Sequence, residues 1–109
     1  MDQHAIVIAD RDGVIRLWSE GAARLIGHAA ADAIGQKLDL IVPPDFRAQH
    51  WNGFGKVMGG GPFGAAGQFF DLPVHCRDGA TKTLRGQLHV LRNEASDAIG
   101  AMAILTAPV

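Results

Sequence analysis

The sequence predicts an α+β fold, a five-stranded antiparallel sheet with short helices packed on one face. Three observations predict it. Strand-like segments cluster toward the two ends of the chain instead of alternating with helices, which argues against a parallel βαβ arrangement. The middle is divided by glycines and by Pro43–Pro44 into short helical pieces. The last third holds three β-rich runs separated by turn residues, the pattern of consecutive hairpins.

The elements follow in order. "HAIVIA" (4–9) is a β-rich run, "DRDG" (10–13) a hairpin turn and "VIRLW" (14–18) the returning strand. Ser19 is placed to cap "EGAARLIG", a short helix that Gly27 stops. "HAAADAIGQKL" reads as a second short helix, stopped near Gly35. After the proline break, Asp45 favours a helix start, and 45–58 is the longest helical candidate, ended by "GGGP" (59–62). Strands are then expected at about 67–76, 81–92 and 99–106, joined by "RDG" (77–79) and the loop "NEASDA".

With 109 residues the chain is expected to be one domain, 1–109, and an apolar share of 48 % is enough for a core. Charged residues make up 19 % and the net charge is −1, so no basic field invites nucleic acid. Apolar runs such as "AMAIL" are too short to span a bilayer, and the first residues lack the pattern of a secretion signal. A cytoplasmic protein without a membrane partner is expected. The single Cys76 excludes an internal disulfide and a cysteine metal cluster, and reads as a structural thiol. His4, His28, His75 and His89 have no metal-ligand spacing, and no nucleophile–base pair or phosphate-binding glycine loop is present, so no enzyme is expected.

The long helix carries the residue of most interest. With His50 at zero on a helix turning about 100° per residue, Val57 falls at about −20°, Phe46 at about −40° and Phe54 at about +40°. Asn52, Gly55 and Lys56 lie on the far side. His50 therefore sits in the apolar stripe that should face the sheet. In "LRGQLHV", Leu84, Gly86, Leu88 and Val90 share one face and Arg85, Gln87 and His89 the other. Gly53 and Gly86 lack side chains on the facing elements, which means either close backbone contact or room for a ligand. A buried histidine is either a hydrogen-bonded core residue or a ligand to something in that space.

The motifs "DGVIRLW", "GAARLIGHAAADAIGQ" and "CRDG", in this order, resemble the PAS domain over nearly the whole chain. The resemblance implies the PAS fold, used as a sensory or interaction module. A narrower resemblance lies in "FRAQHWNGF", which is similar to the long helix of haem-binding PAS domains in oxygen-sensing histidine kinases and cyclic-di-GMP phosphodiesterases. In those families an Arg-x-x-His pair follows a proline-rich turn and the histidine ligates haem iron. Here the pair is Arg47 and His50, and the interval to the "RDG" turn matches without an insertion.

This resemblance implies haem b held by His50, in a site completed by Arg47, Phe54, Val57, Gln68, Phe70, Leu88 and Met102. On the distal side the sequence departs from the families. Their oxygen-binding arginine is matched by Phe70, which donates nothing, and their methionine ligand is matched by about Gln68. Either Gln68 donates to a bound gas, or the distal side is apolar around Phe69 or Phe70, Leu88 and Met102; an apolar side favours CO or NO over O2. The expected function is a gas or redox sensor that signals through a homodimer or a partner protein. The alternative is a haem-free PAS module that binds a small metabolite or mediates dimerisation. No output domain is read, so the chain is either a stand-alone PAS protein or a fragment of a regulator.

Overall fold

The computed structural model describes residues 4–107. Strand β1 (His4–Asp10) turns back into β2 (Ile15–Trp18). Asp10 builds that turn, because its carboxylate accepts the N–H groups of Asp12 and Val14 at 2.9 and 3.1 Å. Gly13 supplies the left-handed residue at φ 78°. Ser19 caps α1 (Glu20–Ile26) as expected, its Oγ accepting from Ala22 N at 3.1 Å. The same oxygen accepts from Ile6 N at 2.8 Å, which ties the helix start to β1.

The second helix is shorter than its sequence suggests. Only Ala30–Ala33 (α2) is helical, and the chain then turns through Gly35, at φ 94°, to bridge Lys37 to Val14. Backbone bonds from Ile15 N to Gln36 O and from Gly35 N to Ile15 O, both 2.8 Å, compete successfully with helix continuation. Single 3-10 turns follow at Leu38–Leu40 and Pro44–Phe46, the second leading into α3 (Arg47–Met58). The remaining strands are β3 (Phe70–His75), β4 (Thr81–Arg92) and β5 (Ala98–Thr106). All pair antiparallel in the order β2-β1-β5-β4-β3.

The inner sheet face is packed differently at its two ends. Around α1, Ala5, Val7, Ile15, Trp18, Ala22, Ile26, Leu84 and Leu105 form a dense core. Gly21 lets α1 lie directly on β1, since a Cβ there would overlap the carbonyl oxygen of His4. Cys76 joins this core as the buried thiol expected, and burial pushes its pKa up. Under α3 the inner residues are small (Ala9, Ala101 and Ala103), and the helix stands off the sheet across a cavity. The outer face carries Ile6, Ile8, Met102 and Ile104, half-buried, beside Leu17, which is 42 % exposed.

Gly86 belongs to the packed part. A Cβ there would overlap the carbonyl oxygen of Ile104 and come within 2.7 Å of Leu105 Cδ2. Of the two meanings open for this glycine, close backbone contact holds and a pocket floor does not. Gly53 makes no such close contact: it is exposed at the cavity's edge, and a Cβ there would meet nothing within 4 Å.

Candidate functional site

The cavity between α3 and the sheet has a volume of about 700 Å3, within the range of ~300–1,000 Å3 found for small-molecule sites. One wall is α3 with His50, Gly53, Phe54 and Val57. The opposite wall is Leu72 of β3, Leu88 and Val90 of β4, and Ala101 and Ala103 of β5. Leu38–Pro43 closes one end, and Pro62 and Phe63 flank the other. Among the described residues Lys56 is the one charged side chain in the lining, half a turn before the end of α3.

His50 faces this space as its helical position requires. Its ring stacks on Phe54, with centroids 5.7 Å apart at 30°, and meets the Trp51 ring edge-on at 4.9 Å and 73°. Its Nδ1 is buried and has no hydrogen-bond partner. Leaving a buried polar atom unpaired costs about 1–3 kcal/mol, so the core-residue reading, which needs a local partner, has none here. Burial holds the imidazole below the usual value of 6.5, partly offset by the negative charge of Asp39. Neutral imidazole, the form that binds a metal, is thereby favoured.

This gives the protein a pH dependence of known sign. The unfolded chain takes up the His50 proton more readily than the folded one, so stability contributed at this residue is complete above about pH 6.5 and declines as pH falls below it. Urea midpoints should drop less between neutral and mildly acidic pH in His50→Phe than in the wild type. Equal drops in both proteins would show that His50 is not the group responsible.

Three residues expected in the site lie outside it. Arg47 does not line the cavity; its Nε donates to Val42 O and its Nη2 to Asp39 O, both at 3.1 Å, so it secures the strap before α3. One of those carbonyls lies within the Leu38–Leu40 turn and the other lies two residues past it, and both take the guanidinium. Gln68 is exposed ahead of β3 and its Nε2 donates to Gly64 O at 3.4 Å, so it offers nothing to the cavity. Phe70 pairs with Gly86 on the inner face but at the outer strand of the sheet, beyond the cavity lining. Neither Gln68 nor Phe70 lines the cavity, and the sheet wall opposite α3 is aliphatic.

Phe54, Val57, Leu88 and Met102 do line the cavity. Register pairs Met102 with His89 and Ile8, so its side chain is directed to the outer face while Ala101 and Ala103 face inward. Sequence reasoning missed the two alanines and Lys56. Of this strand the sequence reading placed only Met102 in the site, and the alanines on either side of it carry no apolar bulk to draw notice. Lys56 falls on the far side of a helical wheel, and its long chain reaches the mouth all the same.

The family described as the PAS fold matches residues 3–106. This chain belongs to the PAS family. A segment of 46 residues is 37 % identical to the sensor protein FixL of Bradyrhizobium diazoefficiens, covering 42 % of this chain and 9 % of that protein. The PAS chain therefore matches only a small part of that relative's length. Among solved structures, a PAS domain from Colwellia psychrerythraea superposes with a TM-score of 0.79 at 22 % identity, covering 98 % of this chain and 87 % of that one. The PAS domain of the RpfR quorum-sensing receptor of Cronobacter turicensis, in complex with BDSF, superposes with a TM-score of 0.73 at 16 % identity, covering 100 % of this chain and 97 % of that one. At these identities the likeness is one of fold. As a member of the family the protein is a PAS sensory domain of signal transduction. No helix among the described residues is long and apolar enough to cross a membrane.

Proposed function

We propose that this PAS domain binds haem b with His50 as the axial ligand and responds to a diatomic gas or to redox state. The observation that carries the reading is His50 itself, an imidazole that lines a large apolar cavity and whose buried Nδ1 has no hydrogen-bond partner. Among the described residues no group of three or more metal-binding side chains occurs; haem needs only one protein ligand, because the porphyrin supplies the other four.

The lining supports this ligand. Phe54, Val57, Leu88 and Val90 offer apolar walls, and Lys56 at the mouth suits a carboxylate. Haem held there would supply an iron whose second face takes a small gas. The distal wall of Leu72, Leu88, Val90, Ala101 and Ala103 holds no hydrogen-bond donor side chain. Bound oxygen needs such a donor more than CO or NO does, so the site favours the latter two. Partner contact falls to the outer sheet face, where Ile6, Ile8, Leu17, Met102 and Ile104 await a second copy or a signalling protein.

The same apolar cavity with one cation at its mouth also fits a small apolar or acidic metabolite, the second reading. Haem titration separates the two. Haemin added to the haem-free chain should give a Soret band that saturates near one equivalent, and the ferrous form should bind CO tightly while holding oxygen weakly. Absence of any band at stoichiometric haemin removes the haem reading and leaves the metabolite. Stable, tight oxygen binding would sink the distal argument. Light scattering on the same sample gives the mass, and a value at that of one 11.5 kDa chain at all concentrations would remove the homodimer.

A further inference from the structure

Trp51 follows His50 in sequence and serves a different neighbourhood. Its indole Nε1 donates to Asp39 Oδ1 at 2.6 Å, a short charge-assisted bond. The six-membered part of its ring lies on Gly13 at the tip of the β1–β2 turn, so closely that a Cβ on Gly13 would overlap ring atoms Cη2 and Cζ3. Lys37 Nζ stands 5.8 Å from the ring centroid and donates to Asp12 O at 2.8 Å, in the same turn. The other edges of the indole meet the cavity side of α3: His50 at 4.9 Å and Phe54 at 5.5 Å between centroids. One rigid ring thus touches the cavity's imidazole and the hairpin turn together.

Both ends of this contact are held. Gly13 O accepts from Leu38 N at 2.9 Å, and Asp10 closes the turn through its side chain and backbone. Asp39 is fixed on its carbonyl side by Arg47, one turn before Trp51 on α3. A planar indole pinned at Nε1 and seated on a glycine has little room to rotate independently. If the His50 ring shifts, the indole must pull on Asp39 or lift from Gly13.

We propose that Trp51 is a positioning residue for His50 and that it carries the state of the cavity to the β1–β2 turn. The first half rests on the reading of His50 as the ligand-holding residue, while the coupling to the turn exists in the haem-free protein.

The test is an NMR cycle on the whole haem-free chain, with the Gly13 and Val14 amides and the Trp51 indole N–H as reporters. His50→Ala should shift the indole and both amides. In a Trp51→Phe background the same change should shift the two amides by less than about half as much, the non-additivity expected when one residue links the others. Asp39→Asn, which keeps an acceptor, should preserve the response, and Asp39→Ala should lose it. Amide shifts of equal size with and without Trp51, or with Asp39→Ala, overturn the proposal. Should Trp51→Phe fail to fold, the Asn–Ala pair at Asp39 decides alone. Haemin added to wild type and Trp51→Phe then examines the haem reading separately: no Soret band in either protein defeats that reading and leaves the amide result standing.

Discussion

Replacing His50 by alanine should abolish the Soret band of the haem-supplied protein and leave the fold intact. Loss of haem affinity should reach at least ~100-fold, since changes to groups that merely orient a metal ligand already cost ~10–100-fold. His50→Gly should behave alike, and free imidazole added to it should restore the band by occupying the vacated position. Stability of the haem-free protein gives an independent reading. Because Nδ1 has no partner, His50→Phe removes an unpaired polar atom and keeps a ring against Phe54. The change should be neutral or stabilising by up to about 1–3 kcal/mol. A core histidine with a structural hydrogen bond would give the opposite result, a destabilised domain whose cofactor binding does not depend on the imidazole. A Soret band of unchanged position and intensity in His50→Ala would end the assignment.

The second large effect is on stability. Gly86→Ala should cost about 1–3 kcal/mol, as overpacking does. The upper part of that range applies, because the added methyl meets a main-chain carbonyl of Ile104, which cannot yield without opening the β4–β5 ladder. In a domain of this size a loss of 1 kcal/mol lowers Tm by about 4–8 °C. Gly53→Ala is the matched control. Its methyl meets nothing within 4 Å, and alanine in a helix interior gains roughly 0.5–1 kcal/mol over glycine. Opposite signs are therefore expected from the same chemical change, read in paired thermal melts. A Tm for Gly86→Ala at or above that of Gly53→Ala would refute the packing argument.

Much of this could be read before the fold was known. The "DRDG" turn, the Ser19 cap, the Gly27 stop and the inward His50 are local matters: side-chain oxygens meet nearby N–H groups, and helical spacing fixes a direction. Resemblance to the PAS family extended that to the whole topology, and the family match bears it out. The shortened α2 was less legible, because the backbone bonds that end it come from Ile15, a strand away.

What one sequence settles here is the direction of residues along their own element. His50 had to lie in the apolar stripe of α3, since the angle between residues is set by helix geometry alone. Tertiary structure decided what that stripe faces. Only the pairing of β5 with β1 and β4 turns Ala101 and Ala103 inward and Met102 outward, and a one-residue slip would exchange them. It also decided that Arg47 serves backbone carbonyls, that Gln68 and Phe70 stay clear of the cavity, and that Gly86 marks a tight contact. Each of these depends on partners distant in the chain, and distances between elements are set by packing, which no local pattern encodes.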